Sequence, residues 1–257
     1  MKTAILITAR LKSTKLPKKV IKPIKGRPMI CHMIDRLKLA QRPETIIICT
    51  SPLKQDDPLA DLAELESVEC FRGDPDDVLL RLTQAAERWG IDTVVSCTAD
   101  NPFVDPEYID YLVDFHHHYN NDFSRCLGLP MGAFAYVISR TAMVRACQIK
   151  DTLDTEIWGG YFTQTGLFSW GEMPVSKNVY WPELRLAVDT PEDFSLVQKI
   201  FDELYVPDHV FPLRSIVELC RNRPELTTIN AEVEQKDARP ISIKEEYQEV
   251  SAEQFIG

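Results

Sequence analysis

The chain has 257 residues, of which 44% are hydrophobic and 26% are charged, which is enough apolar sequence for one large core. Its formal net charge of −10 argues against nucleic acid as the main partner, because phosphate backbones need a broad basic surface. No apolar run has the ~18 residues of a membrane span, and the N-terminus does not show the pattern of a signal peptide.

Short apolar runs alternate with segments of helical periodicity over the first half of the chain. The predicted strands are 4–8, 45–50, 68–72 and 93–98, and the predicted helices are 29–40, 58–65, 76–89 and 106–118. This alternation predicts βαβ units and an α/β fold with a mostly parallel sheet.

The pattern is looser in the second half of the chain. Strands are predicted at 123–127, 133–139 and 184–188, and helices at 140–150, 191–204 and 211–221. Residues 231–257 are polar and weakly periodic, so we expect a loosely packed tail after a domain of residues 1–230. Seven scattered cysteines without CxxC spacing indicate reduced core residues, and a cytoplasmic protein is expected.

A basic loop directly follows the first predicted strand. Its cationic side chains are those of Arg10, Lys12, Lys15, Lys18 and Lys19. Among them lie two hydroxyl residues, Ser13 and Thr14. Open α/β sheets bind ligands beyond the carboxyl ends of their strands, and a guanidinium such as that of Arg10 can grip phosphate oxygens with paired hydrogen bonds. The loop therefore favours a nucleoside triphosphate as ligand, although each lysine taken singly also fits an ordinary solvated surface. It is not a Walker A loop.

Two aspartates stand where apolar runs end. Asp100 follows the run 93–98 and Asp189 follows the run 184–188. Mg²⁺ takes one or two carboxylates together with substrate phosphates, so the pair is a candidate metal site. The alternative is that each aspartate only caps a turn or a helix, which is our interpretation of Asp105.

Two further features are less specific. Arg72 ends a predicted strand, where it either reads a base carbonyl or pairs with the acids at positions 74, 76 and 77. The three adjacent histidines 116–118 are not interpreted as a metal site, because neighbouring residues on a helix face different ways.

Four stretches together resemble the activated-sugar cytidylyltransferases. They are 8–19 (TARLKSTKLPKK, followed by GRPM at 26–29), 71–78 (FRGDPDDV), 98–102 (TADNP) and 184–193 (LRLAVDTPED). The resemblance covers about residues 3–230. This family includes the CMP-Kdo and CMP-sialate synthetases. Within it, the sequence most closely resembles the spore-coat polysaccharide biosynthesis F-type proteins.

The resemblance implies a glycosyltransferase-A-like α/β fold with a mostly parallel central sheet, helices on both faces and a small inserted arm at about 125–180. Family members commonly dimerise through that arm, so a homodimer is expected. The implied activity joins CMP from CTP to an acidic sugar or related acceptor and releases pyrophosphate. It depends on Mg²⁺, with Mn²⁺ as a possible substitute, and serves surface polysaccharide or glycoconjugate synthesis.

The resemblance also implies roles for individual residues. The implied catalytic residues are Arg10, Lys19 and Asp100, and the implied metal ligands are Asp100 and Asp189. The implied nucleotide-binding residues are Thr8, Ala9, Arg10, Ser13, Lys15, Lys19, Ser51, Arg72, Thr98 and Ala99. The acceptor side is expected to include Arg125, Tyr136, Glu156 and Arg185.

Two departures from the family pattern leave alternatives open. Lys18 stands where many Kdo enzymes have glycine, and residues 131–137 (MGAFAYV) lack the acids of the usual Gly-x-Asp-x-Glu-like strand. The acceptor is therefore a sugar or, alternatively, a phosphonate or phosphorylated small molecule. A glycosyltransferase that consumes a nucleotide sugar is a further alternative, since Asp74 and Asp76 have the Asp-x-Asp spacing, and a non-catalytic nucleotide-binding protein is another.

Overall fold

A seven-stranded mixed sheet forms the centre of the computed structural model, which describes residues 1–234 and 241–247. The strands are β1 Thr3–Thr8, β2 Pro23–Ile24, β3 Arg27–Pro28, β4 Thr45–Thr50, β5 Glu69–Arg72, β6 Thr93–Thr98, β7 Phe123–Leu127, β8 Tyr136–Ser139 and β9 Trp170–Pro174. The helices are α1 Met29–Leu37, α2 Asp57–Leu65, α3 Val78–Arg88, α4 Pro106–Tyr119, α5 Arg140–Ile149, α6 Gly160–Thr163, α7 Pro191–Leu204 and α8 Leu213–Asn222. Three 3₁₀ turns lie at Lys19–Ile21, Lys54–Asp56 and Pro224–Leu226.

The strand order is β5-β4-β1-β6-β8-β7-β9, while β2 and β3 form a separate hairpin. Strands β5, β4, β1 and β6 are parallel, β8 is antiparallel to β6 and to β7, and β9 is parallel to β7. As a result β7 and β9 end, and β8 begins, on the side where the four parallel strands end. We call this side, marked by Thr8, Thr50, Arg72 and Thr98, the carboxyl edge.

Helices cover both faces of the sheet. Along β1, Ile5 and Ile7 belong to a core cluster with residues of α1, α4, α7 and α8, whereas Ala4 and Leu6 belong to a second cluster with residues of α3, α5 and α6. Alternate side chains of a strand point to opposite faces, so a strand covered on both sides has an unbroken apolar sequence. The predicted α/β architecture is confirmed.

One predicted strand is absent. Residues 184–188 form an extended segment with a single isolated bridge, between Met131 and Arg185. The segment lies against the loop before β8, where Gly132 has φ +90 and an added Cβ would stand 2.4 Å from the main-chain nitrogen of Ala187. An apolar run that is buried by a loop has the same composition as a strand, which is why its sequence predicts one.

The region 125–180, expected to be an inserted arm, includes α5, α6 and two strands, β8 and β9, that extend the central sheet. Residues 241–247, expected to be loosely packed, instead place Ile241, Ile243 and Tyr247 against the second core cluster. Residues 231–234 of the predicted tail are also described, whereas residues 235–240 and 248–257 lie outside the described residues.

All seven cysteines are free; four of them are buried, as expected of core residues, whereas Cys70, Cys126 and Cys147 are half-buried. Within the part of the chain that the structure describes, no helix has both the length and the apolar character needed to traverse a lipid bilayer.

Candidate active site

Lys19, Asp100 and Asp189 meet at the carboxyl edge. The Nζ of Lys19 donates to Asp100 Oδ2 at 2.9 Å and to Asp189 Oδ1 at 2.8 Å. The side chains of the two aspartates are 28% and 29% exposed, so solvent and ligands can reach the carboxylates. The ammonium group of Lys19 thus binds two carboxylates, one of which belongs to a residue 170 positions away in the chain.

The carboxylate of Asp189 is available because a neighbour caps the following helix. Thr190 is the N-cap of α7, and it forms a capping box with Asp193. Asp193 also accepts the backbone N–H of Asp189 at 2.9 Å and pairs with Arg185, which in turn donates to Asp189 Oδ2 at 2.8 Å. The alternative that Asp189 only caps the helix is therefore wrong.

Asp100 is likewise not used as a turn cap. The side chain of Asn101 stabilises the turn by donating to Thr98 Oγ1 at 2.8 Å, and the carbonyl of Asp100 accepts the N–H of Val188 at 2.8 Å. This main-chain contact brings the segment before Asp189 directly against the end of β6. Asp105, by contrast, caps α4 as predicted.

The charges of this cluster stabilise one another. Burial alone would lower the pKa of Lys19, but Asp100 and Asp189 outweigh it and raise that pKa above its usual value. Burial alone would raise the pKa of Asp189, but Lys19 and Arg185 lower it overall. The cluster is therefore a cation held between carboxylates.

A divalent cation suits the same donors. Carboxylate oxygens are hard ligands of the kind that Mg²⁺ prefers, and in the structure they already surround a positive charge. Among residues 1–234 and 241–247, no group of three or more His, Cys, Asp or Glu side chains is placed to hold a metal ion. A cation at Asp100 and Asp189 would therefore complete its coordination with substrate oxygens and water.

The basic loop after β1 is folded over this edge. The guanidinium of Arg10 donates to the carbonyl of Pro75 and lies 3.2 Å from Asp76 Oδ1. Ser13 accepts the N–H of Leu16 at 3.3 Å through its hydroxyl. Among the other predicted nucleotide-binding residues, Lys15 is exposed, Thr8 Oγ1 donates to the carbonyl of Cys97, and the N–H groups of Ala9 and Ala99 are bonded within the sheet.

Ser51 and Arg72 are brought together at the neighbouring strand ends. Arg72 Nε donates to the carbonyl of Ser51 at 3.0 Å, and its Nη2 pairs with Asp57 at 2.6 Å. Asp56 accepts the hydroxyl of Ser51. The alternative that Arg72 pairs with the acids 74, 76 and 77 is therefore wrong, since its partner is Asp57. Sequence reasoning missed Asp56 and Asp57 because an Asp-Asp-Pro stretch is an ordinary helix start.

Asp74 and Asp76 do not form a metal-binding pair in this structure. Asp74 Oδ1 accepts the N–H groups of Asp76 and Asp77 at 2.9 and 2.8 Å, which stabilises the turn before α3. Asp76 pairs with Arg10 instead. The geometry thus gives no support to an Asp-x-Asp glycosyltransferase site.

The residues expected on the acceptor side lie on different elements of the fold. Arg125 lies opposite Tyr136 across β7 and β8, donates twice to Glu172 on β9 at 2.8 and 2.6 Å, and stacks over Trp170. Glu172 was not predicted, since its aromatic-rich surroundings carry no clear pattern. Glu156 is exposed in the loop before α6.

Arg185 lies in the extended segment before Asp189. Only 9% of the residue is exposed, and its guanidinium bonds Asp189 and Asp193. It therefore holds Asp189 and Asp193 together, and its expected contact with the acceptor stays a prediction.

A basic loop and a carboxylate pair at the carboxyl edge of an α/β sheet are features that nucleotide-binding enzymes share. Comparison with known proteins narrows this class. The family model for cytidylyltransferases matches residues 4–235, so the chain belongs to the cytidylyltransferase family, which makes it a nucleotidyltransferase.

Individual relatives agree with this assignment. The chain is 25% identical over 230 residues to the spore coat polysaccharide biosynthesis protein SpsF of Bacillus subtilis strain 168, which covers 87% of this chain and 95% of that protein. The fold of this chain resembles that of a cytidylyltransferase from Leptospira borgpetersenii, with a TM-score of 0.81 and 23% identity. The match covers 92% of this chain and 99% of the other. The fold also resembles that of a CMP:2-keto-3-deoxy-manno-octonic acid synthetase complexed with CTP, with a TM-score of 0.61 and 15% identity, covering 79% and 99%. The resemblance inferred from sequence is confirmed.

Proposed function

We propose that this protein transfers CMP from CTP to an acidic sugar or a related small-molecule acceptor, releasing pyrophosphate, with Mg²⁺ or Mn²⁺ as cofactor. The observation that carries the proposal is the cluster of Lys19, Asp100 and Asp189 beside a basic loop at the carboxyl edge. Membership of the cytidylyltransferase family supports CTP as the nucleotide.

The nucleotide lies across the strand ends in this proposal. Arg10, Ser13, Lys15 and Lys19 face the triphosphate, because cationic and hydroxyl groups of the loop suit phosphate oxygens. The base occupies the ends of the strands around Ser51, and its nearest contacts are Thr8, Ala9, Arg72, Thr98 and Ala99.

The chemistry is a displacement at phosphorus. An acceptor oxygen attacks the α-phosphorus, a new P–O bond forms, and the bond to the bridging oxygen of the pyrophosphate breaks. Reactions of this type depend on positioning and on neutralising charge, so no protein nucleophile is needed. Arg10 and Lys19 stabilise the charge that develops on the departing pyrophosphate.

Asp100 and Asp189 hold the divalent cation in this proposal. When bound, such a cation neutralises phosphate charge and favours ionisation of the acceptor hydroxyl. Because the ammonium of Lys19 now lies between both carboxylates, Lys19 has to give up these contacts and is then free to bind the triphosphate. Arg185 keeps Asp189 in place through its other contact, with Asp193.

The acceptor lies on the side of β7, β8 and β9. Arg125 and Tyr136 stand at the carboxyl edge, and a guanidinium suits an acceptor that carries a carboxylate or a phosphate. An acidic sugar is favoured because SpsF is named for polysaccharide biosynthesis and one fold neighbour is named for a sugar acid. Surface polysaccharide or glycoconjugate synthesis in the cytoplasm, by a homodimer joined through residues 125–180, completes the proposal.

A pyrophosphate-release assay tests this function. Four nucleoside triphosphates are each incubated with acidic sugars, phosphorylated small molecules and phosphonates, with Mg²⁺ or Mn²⁺. We expect pyrophosphate release only when CTP is combined with an acidic sugar. Release only with a phosphonate or phosphorylated acceptor would change the substrate class. Sugar transfer from a nucleotide sugar without pyrophosphate release, or CTP binding without turnover across the panel, would refute the proposal.

A further inference from the structure

Asp56 is a fully buried carboxylate beneath the carboxyl edge. It is 0% exposed and ends the 3₁₀ turn that precedes α2. Its Oδ1 accepts the backbone N–H of Leu11 at 2.7 Å, and its Oδ2 accepts the hydroxyl of Ser51. A buried charge is costly unless it is well hydrogen-bonded, so these two contacts account for its place in the fold.

The two partners of Asp56 belong to different loops. Leu11 follows Arg10 in the basic loop after β1, whereas Ser51 is the first residue after β4. The hydroxyl of Ser51 also accepts the N–H of Leu53 at 3.2 Å. The backbone carbonyl of Ser51 accepts the Nε–H of Arg72 at 3.0 Å. One carboxylate therefore fixes the loop that faces the triphosphate against the loop that lines the base pocket.

We propose that Asp56 is a positioning residue that sets the distance between the triphosphate site and the base site. The inference rests on the proposed function, since it concerns how CTP is held. Joining two binding groups in one ligand strengthens binding only when the two sites have the matching spacing. Loss of Asp56 therefore weakens binding of the whole nucleotide much more than binding of either half.

The spacing is tested by comparing three ligands in equilibrium dialysis with Mg²⁺ and no acceptor: CTP, inorganic tripolyphosphate and cytidine. For Asp56→Ala we expect a loss of about tenfold or more for CTP and of less than about threefold for each fragment. Asp56→Asn should show a smaller loss for CTP, because the amide oxygen can still accept the N–H of Leu11. In turnover, KM for CTP should rise while kcat at saturating CTP stays within about threefold of wild type.

The matched control is Asp61→Asn, an exposed acid on α2, the helix that follows Asp56, and this variant should bind all three ligands like the wild type. A merely structural role of Asp56 predicts a lower melting temperature with equal effects on all three ligands. That result, or CTP binding by a folded Asp56→Ala protein within about threefold of wild type, overturns the inference. If Asp56→Ala does not fold, Asp56→Asn decides by the same comparison. Failure of the wild type itself to bind CTP refutes the proposed function and this inference together.

Discussion

At the scale of single residues, Lys19 occupies the place between Asp100 and Asp189 that a divalent cation would take. An ammonium and a metal ion cannot both lie between the same carboxylates, so the two compete. Under the proposed function, Lys19 has two successive partners, first the carboxylates that it contacts in the structure and then the triphosphate. Such an exchange would link metal binding to nucleotide binding.

Replacement of Lys19 should therefore strengthen metal binding in the absence of nucleotide. For Lys19→Met we expect an affinity for Mn²⁺ about tenfold higher than that of wild type, because a competing positive charge is removed. Turnover should fall at the same time. Free Mn²⁺ is measured by its electron paramagnetic resonance signal during titration. The exposed Lys12→Met is the control, and equal or weaker Mn²⁺ binding by Lys19→Met would contradict the exchange.

Asp100 should be far more important for rate than for folding. Asp100→Asn should lower kcat by about 10²–10³, the scale on which one preorganised electrostatic contact acts. Turnover is measured at saturating Mg²⁺ and CTP beside Asp114→Asn, an exposed acid on α4 that should change little. A decrease smaller than about threefold would remove Asp100 from the active centre.

Strand-end residues could be predicted from sequence because an apolar run followed by a charged residue marks the edge where open α/β sheets bind ligands. Asp100 became a candidate in this way, whereas Lys19 lies farther along the loop after β1 and Asp189 follows an apolar run that forms no strand. Asp56 and Glu172 were missed. Asp56 lies at an ordinary helix start and Glu172 lies in an aromatic-rich stretch. Neither local sequence shows which distant residues these side chains contact.

At the scale of elements, the crossing of two loops holds the aspartate segment in place. Gly132, at φ +90, lets the loop before β8 contact the main chain at Ala187, two residues before Asp189. Any side chain at position 132 has to enter this contact. The glycine is therefore required by both its backbone conformation and the space around it.

Gly132→Ala tests this crossing. A Cβ 2.4 Å from the nitrogen of Ala187, together with a positive φ, should destabilise the protein by about 1–3 kcal/mol or more. Gly159→Ala is the matched control, because its φ is −55 and no atom lies within 4 Å of the added Cβ. The free energy of unfolding is measured in urea. Equal stability of the two variants would show that the crossing is looser than the structure indicates.

Helices were predicted well because their signals are local. The helix α7 was placed at its observed bounds by a proline at its first turn followed by two acids. The segment 184–188 was wrongly predicted to be a strand, since pairing depends on a neighbour that periodicity does not reveal. Its hydrogen bonds to Met131 form a single isolated bridge and do not continue as a strand pair.

At the scale of the whole molecule, a buried histidine should make stability depend on pH. His116 is 3% exposed on α4, and its Nδ1 lies 3.1 Å from the hydroxyl of Ser124 on β7. Burial, with a smaller effect of His117, lowers the pKa of His116 to about 4. Between this value and the ordinary value of about 6.5, the unfolded chain binds a proton that the folded protein does not.

Stability should therefore fall as the pH decreases from 7 to 5, with up to about 2 kcal/mol of the loss due to His116. The lowered pKa values of Asp189 and Asp193 act in a separate, more acidic range, where protonation of each carboxylate removes its contribution. Urea unfolding at both pH values, compared between wild type and His116→Asn, measures the difference. An unchanged pH dependence in the variant would rule out His116 as its source.

The sequence by itself determined the α/β class, most helices and strands, the family and the candidate residues Lys19, Asp100 and Asp189. Each of these depends on signals within a short stretch of chain. Only the tertiary structure decided that Lys19 joins Asp100 and Asp189, that Arg185 supports Asp189, and that Asp56 connects two loops. Contacts between residues as far as 170 positions apart follow from strand order and loop crossing, which no local pattern encodes.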